Sequence, residues 1–226
     1  KEYKPREEQG LLKRYSDITQ VDMSLGNWLV LSSANYFLED AKDLCEIQGW
    51  YYQCKGINSV PLKLLLALNN WEHWRKGDLL NHLEIKNIYE YLGSSVLPGF
   101  QKGKTLHSDA KYTLKECQEQ HGLIASDVWY NSFEGLDPMT ETYIRNMRAN
   151  GETLNKNPRI KMSTIHAAKG GEADNVLLMQ DLTGAALETF SHDPDELHRL
   201  FYTGATRAKR ELHVLDPKNF DRAYII

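Results

Sequence analysis

The chain has little of what would mark it as a secreted, membrane-bound or metal-scaffolded protein. There are three cysteines in 226 residues. Cys45, Cys54 and Cys117 lie far apart and form no CxxC pair, so the sequence spells out neither a disulfide framework nor a thiolate zinc site. They read as reduced thiols of a cytoplasmic protein. The longest apolar run, around "PLKLLLAL", is far short of the roughly 20 residues a spanning helix needs, so no membrane partner is expected. The opening "KEYKPREEQG" has no apolar core and is no signal peptide. It also lacks Met, and the chain is expected to be a piece of a longer one. The net charge of −4 excludes a protein coated in basic residues, while leaving room for a local basic groove.

A complete phosphate-binding P-loop is missing as well. "GFQKGKT", Gly99 to Thr105, comes near the pattern G-x-x-x-x-G-K-[ST], but the glycines are one residue too close. No apolar strand precedes it and no clear helix follows, so it reads as a solvated loop.

What is present is enough for a globular core: 41% hydrophobic residues beside 26% charged ones. Residues 1–27 are polar and look like a lead-in segment. "NWLVLSSANYFLEDAKDLCEIQGWYYQCKG" then reads as strand, helix, strand. Its first strand is Trp28 to Ser32, and its second is Trp50 to Cys54. Asn35 is the expected cap of the helix between them, with Phe37, Ala41, Leu44, Cys45 and Ile47 inward and Gly49 as terminator.

Residues 58–155 have helical apolar spacing and are expected to form a mostly helical insertion. "DPMTETYIRNMRANG" is its clearest helix, with Asp137 as cap, Pro138 at the first position and Gly151 past the end. Trp71, Trp74, Tyr89, Tyr91, Trp129 and Tyr130 are read as insertion core rather than as base-stacking platforms.

From Ile160 the strand pattern returns. "IKMST" alternates, "NVLLM" suits a strand buried on both faces, "DPDELHRLFYTGATRAK" is a helix capped by Asp193 or Asp195, and "RELHVLD" is a strand. Residues 28–57 and 156–226 thus make one α/β domain around the insertion.

Two stretches carry chemistry. In "STIHAAKGGEADNVLLM", Thr164 and His166 stand at a strand end, where hydroxyl, imidazole and backbone N–H groups can meet a phosphate. Lys169 adds charge, Gly170 and Gly171 allow close backbone approach, and Glu172 can accept from a ribose hydroxyl. Taken alone, the stretch is equally a tight loop between strands. In "LFYTGATRAKRELHVL", Arg207 follows small residues at a helix end and suits bidentate phosphate contact. Taken alone, it is more often a solvated helix end.

Together the two stretches resemble motifs V and VI of the UvrD/Rep-like superfamily 1 DNA helicases, over Lys161 to Leu215. The segment from Asn27 to Gln53 is similar, more weakly, to the surroundings of motif IV. The resemblance implies a RecA-like α/β fold of the P-loop NTPase type: a parallel sheet flanked by helices, without its own P-loop. It implies the C-terminal motor half of an ATP-dependent helicase or translocase, with 3′ to 5′ polarity.

By the same resemblance Thr164 and His166, with Lys169, are the contacts to single-stranded or partly duplex DNA. Gly170, Glu172, Gly204 and Arg207 are on the nucleotide side, with Glu172 at the ribose and Arg207 as the arginine finger to the γ-phosphate. Tyr202, Thr203 and Thr206 complete the frame of that finger. The cofactors implied are ATP and Mg²⁺, the metal ligands belonging to the N-terminal RecA-like domain of the full-length protein. The chain alone is therefore expected to be inactive. Repair or replication of DNA is the implied setting.

Two positions depart from the pattern. Ser33 aligns with an Arg that contacts the γ-phosphate, and Gly171 stands where a bulky aliphatic is usual. Ser33 keeps open a non-hydrolysing DNA-binding or scaffold relative.

Overall fold

In the computed structural model the described residues are 9–152, 157–168 and 170–226. They divide into two compact units, one of residues 1–59 with 146–226 and one of residues 60–145.

In chain order the strands and helices are β1 (Leu11–Tyr15), β2 (Trp28–Ser32), α1 (Glu39–Gln48), β3 (Tyr52–Cys54) and β4 (Ile57–Asn58). The second unit begins with α2 (Leu62–Arg75), β5 (Leu80–Asn81), α3 (His82–Tyr89), β6 (Lys111–Tyr112), α4 (Leu114–Gln120) and α5 (Trp129–Ser132). The unit boundary falls inside α6 (Pro138–Ala149), after which come β7 (Ile160–Thr164), β8 (Ala173–Met179), α7 (Gly184–His192), α8 (Pro194–Ala205) and β9 (Ala208–Leu215).

The first unit is built on one seven-stranded sheet in the order β1-β9-β8-β2-β7-β3-β4, parallel except for the β3–β4 pair. That is the α/β sheet expected from the sequence. All five residues of β2 are buried, as a central strand between β7 and β8 requires. Leu11–Tyr15, inside the stretch read as lead-in, pairs in parallel with β9 as the edge strand. As part of an edge strand, Leu11 and Leu12 stay about half exposed.

The α1 helix starts later than expected. Asn35–Leu38 forms a 3₁₀ turn, and Leu38 rather than Asn35 precedes the α-helix, with no side-chain cap. Ala41, Leu44 and Cys45 face inward as expected, but Ile47 is 71% exposed. Gly49 ends the helix at φ 69°, where an added Cβ would lie 2.5 Å from Cβ of Asn146. A helix absent from the sequence reading, α7, is capped by Thr183, whose hydroxyl accepts the N–H of Ala186.

The second unit is mostly helical, with the short β5–β6 pair. Asn81 with Glu84 and Thr113 with Glu116 form capping boxes at α3 and α4. Asp137 caps α6 as anticipated, accepting the N–H groups of Met139 and Thr140. Trp71, Trp74, Tyr89 and Trp129 are buried, so these rings are core, while Tyr130 is exposed beneath Arg145. Trp71 and Trp74 also direct their indole N–H groups to the carbonyls of Asp127 and Tyr112, each at 3.0 Å. Gly99 to Thr105 runs through turns with no helix behind it, and Thr105 Oγ1 lies 2.7 Å from His121 Nδ1.

Candidate functional site

The site is set by the register of four parallel strands. Thr164, the last residue of β7, lies opposite Ser32 at the C-terminal end of β2, and Asn175 of β8 lies opposite Trp28 at its start. The crossover of residues 165–172 therefore runs from one edge of the sheet to the other. The N–H of Ala173 donates to the carbonyl of Arg207 at 3.2 Å, which anchors the finger candidate at the N-terminal edge. At ~3.3 Å per residue, Thr164 and that anchor are separated by about 20 Å along the strands. No single phosphate group bridges such a gap.

At the C-terminal edge the chain turns sharply. The N–H of Ile165 donates to the carbonyl of Ser32 at 2.9 Å. The Thr164 carbonyl accepts from Ala168 at 3.0 Å, and its hydroxyl accepts from Ala167 at 3.3 Å. The turn buries Ile165 and leaves His166 exposed at the rim, with Thr164 partly so. A hydroxyl and an imidazole stand at this rim, while the N–H groups of Ile165, Ala167 and Ala168 are already donated within the fold. Lys169 lies outside the described residues.

The crossover then tightens rather than slackens at its glycines. Gly170 takes φ 85°, and Gly171 donates to the Ala168 carbonyl at 2.9 Å. A Cβ on Gly171 would stand 3.3 Å from that same carbonyl oxygen, a close fit for any bulkier residue.

At the N-terminal edge Glu172 and Arg207 are brought together by the Ala173–Arg207 hydrogen bond. Arg207 follows the last turn of α8 and is held there by its backbone N–H to Gly204 and its Nε to the Thr203 carbonyl, both at 3.2 Å. Thr203 and Thr206 in turn bond to Arg199 and Thr203 carbonyls, which satisfies the helix end. Among the described residues no carboxylate pairs with Arg207, so its guanidinium fork is available to an anion. Tyr202 is 60% exposed beside it on the helix.

Glu172 was legible in the sequence, but its neighbour Lys209 was not. Lys209 Nζ lies 3.5 Å from Glu172 Oε2, both side chains nearly half exposed. The signal was its place two residues after Arg207, since alternate residues of a strand share a side. A cavity of about 370 Å³ opens along this edge, lined among others by Asn27, Arg159, Lys161, Gly171, Glu172 and Lys209. Each sits at or near the start of β2, β7, β8 or β9. Carboxylate and cationic groups thus share a concave edge, and Arg207 is not among its lining residues. Among the described residues no three carboxylates, imidazoles or thiolates gather as a metal cage.

Gly204 has a different place from its neighbours. It is buried, and an added Cβ would stand 3.1 Å from Leu178 Cδ1 and 3.3 Å from Ile165 Cγ2. It packs helix against sheet and touches no open cavity edge.

Ser33 lies far from Arg207. It follows β2 at the C-terminal edge, half-buried, with its hydroxyl donating to the Asp181 carbonyl at 2.7 Å. The two positions occupy opposite edges of the sheet.

Among the described residues no helix is long and apolar enough to cross a membrane. No curated protein matches the chain. A family model does: that of the UvrD-like helicase C-terminal domain, over residues 133–217, which takes in the β7–β8 crossover, α8 and β9. The chain thus carries, over residues 133–217, a UvrD-like helicase C-terminal domain.

Proposed function

We propose that this chain is the C-terminal motor half of an ATP-dependent DNA helicase or translocase. Its helicase-type character follows from the family. The finer reading rests on one observation: the candidate DNA contacts and the candidate nucleotide contacts stand at opposite edges of one sheet, joined by a single crossover.

In this reading ATP, held between this unit and the N-terminal RecA-like domain of the full-length protein, supplies the phosphoryl group. Arg207 reaches the γ-phosphate and stabilises the charge that spreads over it in the transition state. Glu172 accepts from a ribose hydroxyl and orients the nucleotide. At the other edge the Thr164 hydroxyl and the His166 imidazole grip single-stranded DNA phosphates, with Lys169 adding charge. The Mg²⁺ ligands belong to the N-terminal domain, so the present chain turns over no ATP by itself. Movement along the strand follows 3′ to 5′.

The test is Arg207→Ala in the full-length protein. Loss of about 10³-fold in kcat is expected, from the worth of an arginine finger, with single-stranded DNA affinity within about threefold. ATPase turnover equal to the parent protein refutes the finger.

A further inference from the structure

We infer that Ile165 is a positioning residue for Arg207, acting through its contact with Gly204, so that the strand end gripping DNA and the helix end carrying the finger bear on one another directly. The inference rests on the roles of Thr164 and Arg207 proposed above.

Ile165 is the residue between the two candidate DNA contacts. Thr164 and His166 look outward, while Ile165 is 1% exposed and belongs to the core cluster that holds Leu178, Leu197 and Phe201. Its main chain is tied to β2 through Ser32, which fixes where the side chain enters the core. On the other side of the contact is Gly204. A Cβ there would meet Ile165 Cγ2 at 3.3 Å and Leu178 Cδ1 at 3.1 Å, so any larger residue would have to push these two side chains back. Three residues on, Arg207 donates its N–H to the Gly204 carbonyl.

The chain of contacts is short and stiff: DNA phosphate, Thr164 and His166, Ile165, Gly204, Arg207. Packed interiors resist compression, so a small shift at the strand end moves the seated helix turn instead of being absorbed. The flanking helix residues Leu197 and Phe201 are buried against the same sheet and pivot the helix there. The crossover of residues 165–172 joins the two edges through the chain; the Ile165–Gly204 contact joins them through space. Ile165 touches neither ligand, so its effect falls on how DNA changes turnover and leaves the binding of either one alone.

The experiment uses the full-length protein with Ile165→Ala, Ile165→Val, Gly204→Ala, the Ile165→Ala/Gly204→Ala pair and Arg207→Ala. ATPase is measured with and without oligo(dT), alongside KM for ATP, oligo(dT) affinity without nucleotide, and thermal melting. Ile165→Ala is expected to lower DNA-stimulated kcat at least fivefold and unstimulated kcat by less, with KM and DNA affinity within twofold. Ile165→Val should lose about twofold and carries the test should the alanine variant not fold. The double variant should be no worse than its worse parent, because both changes disturb one contact. Full DNA stimulation in folded Ile165→Ala, or losses that multiply in the double variant, overturn the inference while Arg207→Ala is still inactive. Turnover retained in Arg207→Ala instead removes the finger reading, and this inference with it.

Discussion

The amide of Ala173 donates to the carbonyl of Arg207 at 3.2 Å, and this one bond sets Glu172 beside the arginine at the same edge of the sheet. The two residues are 35 positions apart in the chain and come from different elements. The Glu172 carboxylate lies toward Lys209, and the Arg207 Nε donates to the Thr203 carbonyl.

Glu172→Ala in the full-length protein should raise KM for ATP about tenfold, the worth of one hydrogen bond to a charged group, with kcat within threefold. A ribose contact is made equally in ground and transition states, so it acts on KM. Steady-state ATPase kinetics decide this; a fall in kcat at unchanged KM contradicts the ribose role.

Lys104→Ala should leave KM and kcat for ATP within twofold. Gly103 and Thr105 beside it pack against Lys86, Leu106 and His121 in a run of turns, and no helix N-terminus is aimed at them. Loss of nucleotide binding in this variant, with Arg207→Ala active, would establish a P-loop-like site in its place.

Stability of the first unit should fall as pH drops below about 6.5, the ordinary histidine value. His213 is buried in β9 among Lys13 and Tyr15 of β1, Trp28 of β2 and Glu211 of its own strand. Burial lowers its pKa first and Lys13 adds to this, against an opposing pull from Glu211. Glu211 Oε2 is 3.2 Å from Nε2, yet the geometry makes no hydrogen bond, so burial prevails. The unfolded chain then takes up the proton more readily, and stability present above 6.5 is lost as pH falls toward the lowered value. Urea midpoints between pH 7.5 and 5 check this, and His213→Phe should flatten the decline. Part of the slope should survive in that variant, since burial also depresses His121 of the second unit. A decline of the same steepness in His213→Phe and parent rules His213 out.

Trp71→Ala should cost the second unit about 3–5 kcal/mol in urea unfolding. The ring is fully buried between Trp74 and Phe133, each about 6.0 Å away, and its N–H is bonded to Asp127. A loss below 1 kcal/mol, or lost DNA affinity at unchanged stability, would make it a binding ring instead of core.

Much of this protein is determined locally and so is open to reading from the sequence. Runs such as "WLVLS" and "NVLLM" read as strands suited to a buried sheet, and Asp137 with Pro138 sets a helix start by side-chain bonding within four residues. Arg207 and Glu172 were nominated as candidate ligand groups by the resemblance of their motifs, which are local stretches of sequence. Tertiary structure alone decided the rest. The parallel pairing of Leu11–Tyr15 with β9 joins residues some 200 apart, and no local pattern encodes such a register. Ile47 fits the inward stripe of α1, yet nothing packs over that position and it stays in solvent. The placement of Ser33 and Arg207 on opposite edges, and of Gly204 against Ile165, follows from strand order and helix seating. Those depend on how distant surfaces exclude water together, which is a property of the whole sheet and of no single stretch.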